Sequence, residues 1–374
     1  MLGNVLGERF MMITFGESHG KCIGVIVDGC PAGLPLQESD IQSKLDLRRP
    51  GQSIVTTQRR EEDKVEILSG VFNGYTTGAP ICMLIWNKDV DSKPYDMIKS
   101  KPRPGHADYP AYVKYKGFND YRGGGRFSGR LTAAFVMAGA LAEKLLRYTL
   151  GIEIFAYTKE IGGISMNKDA LDYLDEIKMN RYSNEVRCPD SSTAMLMRDA
   201  IIKARQEGDS LGGIVECIAI NVPIGLGEPI FGALESDISR ALFAIPAVKG
   251  VEFGSGFRAS RLKGSEHNDP YAIKDGKVVT LTNNAGGILG GLSNGMPLLL
   301  RVAFKPASSI AKTQRTVDIE SMSNSEIVVP GRHDPCVVPR AVPVVEAMVA
   351  VVLADHAIRA GIIPPILGDA YEHR

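Results

Sequence analysis

The sequence predicts an α+β protein built from two copies of one strand–helix–strand unit. The first observation is an internal echo. Residues 22–45, C-I-G-V-I-V-D-G-C-P-A-G-L followed by E-S-D-I-Q-S-K-L, return at 212–242 as G-G-I-V-E-C-I-A-I-N-V-P-I-G-L followed by E-S-D-I-S-R-A-L. The second is a further pair downstream of each, S-G-V-F-N-G-Y-T-T-G-A-P-I-C-M-L-I at 69–85 and G-G-L-S-N-G-M-P-L-L-L-R-V at 290–302. The third is that no G-x-G-x-x-G follows a strand, which leaves a doubly wound dinucleotide fold without support. The copies, approximately 12–150 and 205–360 within one domain 1–374, are expected to pack about a pseudo-twofold axis; their spacing is too long for a solenoid.

Residues 3–16 read as a loop and strand leading into F-G-E-S-H-G (15–20), and 23–27 as a strand ending in the turn D-G-C-P-A-G-L-P. Glu38, Ser39 and Asp40 start a helix with acid in its first turn, where the helix dipole favours it. L-R-R-P-G at 47–51 ends that helix, because proline and glycine do not continue one. T-T-Q-R-R-E-E-D (56–63) is a polar ribbon, followed by strands around 65–68 and 79–86. Leu131, Phe135, Val136, Ala140, Leu141 and Leu145 recur at helical spacing. In the second half, strands fall near 153–163 and 212–220. Asp190, Ser191 and Ser192 can cap a helix running through Met195, Met197, Ile201 and Ile202 to Gly208. The segment 341–360 reads as a core helix interrupted by Glu346, Asp355 and Arg359.

The 374 residues are 44% hydrophobic and 23% charged, the composition of a globular protein. Lys+Arg and Asp+Glu both number 43, so there is no global electrostatic case for nucleic acid or membrane, and the arginines must act locally. The six cysteines (22, 30, 82, 188, 217, 336) show no C-x-x-C spacing, which argues against zinc or a disulfide framework. No metal is expected. No apolar run approaches membrane-spanning length and no signal peptide is visible, so a cytoplasmic address is the expectation.

Chemistry concentrates in 101–132: K-P-R-P-G-H-A-D-Y-P, a Tyr/Lys-rich bridge, then D-Y-R-G-G-G-R-F-S-G-R-L-T. A glycine loop opening a helix would aim backbone N–H groups and the positive helix end at an anion. Arg103, Arg122, Arg126 and Arg130 would add bidentate donors. Arg48, Arg49, Arg59, Arg60 and Arg332 also sit in turns, which in a neutral chain suggests a pocket for a multiply anionic small molecule. Lys305-Pro306-Ala307-Ser308-Ser309 offers a cation and two hydroxyls suited to phosphate. His19, His106 and His333 lie in glycine-bearing turns, where an imidazole can serve as acid or base. His267, His356 and His373 are assigned to structure or solvent.

G-E-S-H-G, R-R-P-G, Q-R-R-E, R-P-G-H-A-D, D-Y-R-G-G-G-R, G-D-S-x-G-G, N-N-A-G-G-I-L-G-G, K-P-A-S-S and G-R-H-D-P-C occur in that order from Gly16 to Cys336. Together they resemble the motif set of the chorismate synthase family. The resemblance implies a layered β-α-α-β sandwich, with helices between antiparallel sheets, and a homotetramer. It implies a carbon–oxygen lyase that converts 5-enolpyruvylshikimate 3-phosphate to chorismate and phosphate by 1,4-anti elimination, the last step of the shikimate pathway. Reduced FMN is required without net redox change, the flavin lending an electron transiently. NADP is an associated nucleotide. No flavin reductase domain is visible, so reduced FMN would come from another enzyme.

Carried over by position, His19 resembles the acid that protonates the departing phosphate and His106 the one that protonates the reduced flavin. Asp334 with Ser18 resembles the relay, through the flavin N5, that removes the substrate's C6 proton. Arg48, Arg130 and Arg332 would hold substrate or flavin anions, with Arg49 and Arg103 as further anion binders. Arg126, Phe127, Ser128, Ala247, Gly290 and Lys305, Pro306, Ala307, Ser308 and Ser309 match flavin-binding stretches. Two departures stand out. Ile54 replaces an arginine that helps many relatives bind an anionic ligand, with Arg49 or Arg59 placed to compensate. R-F-S-G-R-L-T replaces R-S-S-A-R-E-T, so Phe127 would serve through its backbone and Leu131 lacks a carboxylate. The rival readings are another flavin-dependent oxidoreductase and a non-catalytic binder of phosphorylated metabolites.

Overall fold

Two five-stranded antiparallel sheets enclose the long helices in the computed structural model, which describes residues 3–51, 61–88, 92–329 and 334–368. The first sheet runs in the order Val5–Leu6, Met11–Gly16, Cys22–Asp28, Ile81–Trp86, Val65–Ile67. The second runs Val248–Phe253, Leu298–Phe304, Gly213–Ile220, Glu153–Ile161, Ile164–Ser165. Registers such as Val25 opposite Met83 and Cys217 opposite Leu300 pair apolar side chains across neighbouring strands.

Apart from intervening elements such as Ser191–Gln206 and the short hairpins, each half carries two sheet strands, a helix, two sheet strands and a long helix. In the first half the helices are Glu38–Arg48 and Thr132–Leu150; in the second they are Leu234–Phe243 and Val338–Arg359. Counting the four strands of each half in chain order, both sheets arrange them 1-2-4-3. The sequence echo at 22–45 and 212–242 falls on equivalent strands and helices. The topology, however, starts the second half at Glu153–Ile161, ahead of the expected 205.

The predicted helix starting at Glu38 ends at Arg48, and Asp190 caps Ser191–Gln206 by accepting the Thr193 amide at 2.8 Å. The helices Asp108–Tyr115, running from R-P-G-H-A-D into the Tyr/Lys-rich bridge, and Leu174–Asn180 were not legible. Thr132–Leu150 packs on the first sheet, Val338–Arg359 on the second, and the two pack on each other. Their closest approach is at Gly139, where a Cβ would lie 2.2 Å from the Ala347 Cβ. The helix Val338–Arg359 is long and apolar enough to cross a membrane, contrary to the sequence expectation, yet 94% of its most apolar window is buried within the protein. A helix apolar on all sides belongs in a core.

Its few charges are tied inward. Glu346, fully buried, accepts the Ala156 amide at 2.8 Å and the Tyr182 hydroxyl at 3.2 Å. Asp355 Oδ1 accepts the amides of Glu8, Arg9 and Phe10 at 2.9, 2.6 and 2.9 Å, fixing the N-terminal loop. Gly139→Ala should destabilise the protein by about 1–3 kcal/mol in urea unfolding, the usual scale for overpacking a close helix contact. A variant as stable as the parent would mean that the two helices part freely.

Candidate active site

Both core helices begin at one cavity of about 570 Å³, lined by Thr132 from the first and by Arg340, Ala341 and Val344 from the second. Helix starts present unpaired N–H groups and a positive dipole end, which favours an anionic occupant.

At this end, three arginines converge. Arg48, buried at the end of its helix, donates Nη1 to Asp63 Oδ2 at 3.0 Å, Nε to Thr132 Oγ1 at 3.1 Å and Nη2 to the Gly129 carbonyl at 2.9 Å. Arg130 donates Nη1 to the other Asp63 oxygen at 2.8 Å and Nε to Asn87 Oδ1 at 2.7 Å. Its Nη2 is buried and has no hydrogen-bond partner among the described residues; the nearest carboxylate, Glu61, is 3.8 Å away. Arg340 donates Nε to the Arg48 carbonyl at 3.2 Å and Nη1 to Asp334. Burial, with repulsion from Arg340 and Arg130, lowers the Arg48 pKa to about 9 against the pull of Asp63, so the guanidinium is still charged at neutral pH. Burial alone would raise the Asp63 carboxyl, but Arg48 and Arg130 outweigh it and hold the group below the ordinary range.

The two histidines flank the glycine run. Gly123, Gly124 and Gly125 all have positive φ (60°, 82° and 51°). They do not open a helix as the sequence suggested, since the long helix begins only at Thr132. They allow close approach instead. A Cβ on Gly123 would sit 2.3 Å from His19 Cδ2 and 2.8 Å from Ser18 Oγ; one on Gly124 would sit 3.3 Å from His106 Nε2. His19 Nδ1 lies 2.9 Å from Ser92 Oγ, and its ring meets Tyr95 edge-on with centroids 5.1 Å apart. His106 Nδ1 lies 2.6 Å from Asp108 Oδ1, which selects the tautomer with its proton on Nδ1, and Arg103 Nη2 lies 3.3 Å from Nε2. Asp108 also accepts from Arg103 Nε and Nη2, each at 2.8 Å. Burial would raise the Asp108 pKa, but these hydrogen bonds from Arg103 and His106 hold it well below the usual carboxylate range.

Elsewhere in the cavity wall, Lys305 Nζ donates to Ser308 Oγ at 2.7 Å, and that hydroxyl donates to the Gly105 carbonyl at 2.7 Å. Arg103 Nη1 donates to Ser309 Oγ at 3.0 Å, joining this loop to the His106 turn. Ala247, at φ 74°, accepts the Lys305 amide at 2.9 Å. Burial and neighbouring Lys249 lower the Lys305 pKa, and among the described residues Lys305 makes no ion pair.

Of the residues singled out in the sequence, Ser18, His106, Asp334, Arg48, Arg103, Arg130, Phe127, Ser128, Ala247 and Lys305 through Ser309 all line the cavity. His19 stands one layer behind Ser18. Three others are placed differently. Arg49 is on the surface, 3.5 Å from Asp46, because the helix turn that buries Arg48 points the next side chain outward. Arg126 lines the cavity, but its donors are used by Gly16 O, Asn4 Oδ1 and Thr14, so it pins the loop to the N-terminal strand. Gly290 lies outside the cavity, in the turn of the hairpin Ile288–Leu289 and Leu292–Ser293. Arg332, His333, Ile54, Arg59, Arg60 and His373 fall outside the described residues. Sequence reasoning missed Asp63, Asn87, Ser92, Tyr95, Lys249 and Arg340, and gave Asp108 no role. Only Asp108, two positions after His106 in R-P-G-H-A-D, carried a local signal.

A guanidinium-lined pocket with acid–base groups, set at helix starts in an antiparallel α+β sandwich, defines an enzyme acting on a multiply anionic small molecule. Comparison narrows the class. A model of the family described as chorismate synthase matches residues 10–358. The chain is 60% identical over 360 residues to the chorismate synthase of Korarchaeum cryptofilum, covering 96% of this chain and 99% of that one. It is 55% identical over 366 residues to that of Dehalococcoides mccartyi, covering 98% and 100%. A solved structure titled as the crystal structure of chorismate synthase matches with a TM-score of 0.76 at 32% identity, over 95% of this chain and 93% of that one. The chain belongs to the chorismate synthase family. It is thus a lyase acting on phosphates, with a place in the shikimate pathway.

The depressed Asp63 and Asp108 carboxyls predict acid sensitivity. A carboxyl whose folded pKa is lowered adds stability that is fully present above its unfolded value, about 3.9, and is lost as pH falls toward the folded value. Chemical denaturation should therefore show stability falling below about pH 4, and Asp108→Asn should be weaker at neutral pH but converge on the parent in acid. Parallel pH curves for the two proteins would count against this account.

Proposed function

We propose that this cavity binds 5-enolpyruvylshikimate 3-phosphate at its arginines and reduced FMN with its phosphate at Lys305. The observation that carries the reading is one cavity whose wall holds two kinds of cation, the guanidiniums of Arg48, Arg130 and Arg340 and the ammonium of Lys305 beside Lys249. A substrate with one phosphate and two carboxylates calls for several guanidiniums, and a flavin phosphate calls for a separate cation. The residues fit FMN: Lys305, with no ion pair among the described residues, Ser308, Ser309 and the backbone at Ala247 and Phe127 would hold it. When bound, reduced FMN supplies transient electron density to the reaction and is reduced again at its end.

The chain's own groups manage the protons. Asp334, with Ser18 on the same cavity wall, takes the proton from substrate C6 as that C–H bond breaks. His19, beside Ser18 at Gly123, gives a proton to the phosphate oxygen as the C3–O bond breaks. His106, oriented by Asp108, holds or releases a proton at Nε2. Arg48 and Arg130 anchor the substrate's anionic groups, and bind them equally before and during the reaction. One proton leaves carbon and one joins phosphate, so no net oxidant is consumed.

We also place the enzyme in the cytoplasm as a homotetramer, with reduced FMN drawn from another enzyme and NADP as the associated nucleotide. Phe118, Ile230, Phe231 and Phe257, each more than 80% exposed, are apolar side chains that a subunit interface would cover. The chain is one domain, 1–374, whose repeats meet at the cavity.

The deciding experiment mixes the purified protein anaerobically with 5-enolpyruvylshikimate 3-phosphate and chemically reduced FMN, and measures phosphate and chorismate together. Equal release with the flavin still reduced is expected. Steady consumption of reductant would indicate an oxidoreductase, and tight binding without product a binding protein. His106→Ala should keep the fold and lower turnover by about a hundredfold or more, the scale of general acid catalysis. Near-normal turnover would remove His106 from the mechanism.

A further inference from the structure

We propose that Asp63 is a positioning residue for anion capture: one buried carboxylate fixes the Arg48 and Arg130 guanidiniums in the cavity wall. Its side chain is fully buried and lies behind the two arginines, outside the residues that line the cavity. Oδ2 takes one N–H of Arg48 Nη1 at 3.0 Å and Oδ1 one of Arg130 Nη1 at 2.8 Å. Each guanidinium is also fixed at Nε, Arg48 by Thr132 Oγ1 at 3.1 Å and Arg130 by Asn87 Oδ1 at 2.7 Å. A guanidinium is planar, so holding Nε and Nη1 leaves the direction of Nη2 no freedom. For Arg130 the nitrogen so held is buried, without a hydrogen bond among the described residues and 3.8 Å from Glu61, and for Arg48 it donates to the Gly129 carbonyl at 2.9 Å, so both side chains are fixed in the cavity wall.

The carboxylate has a second effect. Arg48, Arg130 and Arg340 act on one another through low-dielectric surroundings, and a shared negative charge lets two of them face the same anion. The backbone reinforces the placement. Asp63 is held at φ 46°, a left-handed conformation that L side chains seldom adopt. Gln42 secures it, donating Nε2 to the Asp63 carbonyl at 3.2 Å and accepting the Val65 amide at 2.9 Å. Strain that persists at a residue gripping two ligand-binding side chains fits a functional placement better than an accidental one.

The inference rests on the assignment of Arg48 and Arg130 to the substrate, and the test separates the two. Three variants are compared with the parent for KM, kcat, FMN affinity and melting temperature. Asp63→Asn keeps the shape and removes the charge; it should raise the KM for 5-enolpyruvylshikimate 3-phosphate by about tenfold or more, with kcat within about threefold and FMN affinity within about twofold, the pattern of a lost ground-state anchor. A purely structural residue would lower the melting temperature without this split. A folded Asp63→Asn enzyme with unchanged KM overturns the proposal, and a lower KM does so too, since it would mark Asp63 as a counter-charge only. Thr132→Val loosens Arg48 at its other anchor without altering any charge. It should raise KM severalfold, and it decides the matter if Asp63→Asn does not fold: unchanged KM there overturns the proposal. If Arg48→Ala leaves KM unchanged, the assignment of these arginines to the substrate fails, whatever the Asp63 variant does.

Discussion

The close contact of two helices at Gly139 and Ala347 fixes the geometry on which the site depends. Thr132–Leu150 and Val338–Arg359 both start at the cavity, and each carries part of the chemistry just before or within its first turn. Arg130 and Thr132 belong to one, Asp334 and Arg340 to the other. The spacing of Arg340 and Asp334 from Arg130 and Thr132 is therefore set by how near the two axes run. Glycine at 139 removes a Cβ that would lie 2.2 Å from that of Ala347. Misplacement by about an ångström is enough to cost large factors in rate, so a site divided between two helices needs such a contact.

Charge placement follows from the same constraint. A neutral chain has gathered its cations at helix starts, where the dipoles already favour anions, and balances them with acids set behind them. Removing one partner from a buried ion pair typically costs about 3–5 kcal/mol, so Asp63, Arg48 and Arg130 are energetically one unit. Asp108 does the same for Arg103 and His106. The charges farther along the C-terminal helix, Glu346 and Asp355, serve the fold alone; they satisfy backbone amides of the second sheet and of the N-terminal loop.

The sequence disclosed what is local. The acid-started helix from Glu38, the cap at Asp190 and the apolar 3.6-residue pattern after Leu131 all depend on neighbours within a few positions, and the structure has each. Most of the motif-borne residues from Ser18 to Ser309 also come together; the exceptions are Arg49 on the surface, His19 outside the lining, Gly290 in its hairpin and Arg126, whose donors are used internally. What was not legible depends on pairs far apart in the chain. Asp63 gains meaning only when Arg130, sixty-seven positions on, meets it. Arg340 reads as an ordinary residue of an apolar helix until Asp334 and the Arg48 carbonyl are placed beside it. The glycine run was legible as a special backbone but not as to purpose: the expected anion nest is a slot that lets His19 and His106 approach the same loop.

The site also explains why neither half of the chain could act alone. The first half brings Ser18, His19, Arg48, Arg103, His106 and Arg130, which are acids and anion binders without the carboxylate assigned to proton removal. The second brings Asp334, Arg340 and the Lys305 loop, which hold a base and a phosphate site without the histidines. Both halves use one topology, with strands in the same order in each sheet, yet their corresponding loops carry different side chains. A symmetric pocket would bind a symmetric ligand. Here the cations differ in kind, guanidiniums held by carboxylates and a lysine beside hydroxyls, so the lining is not symmetric.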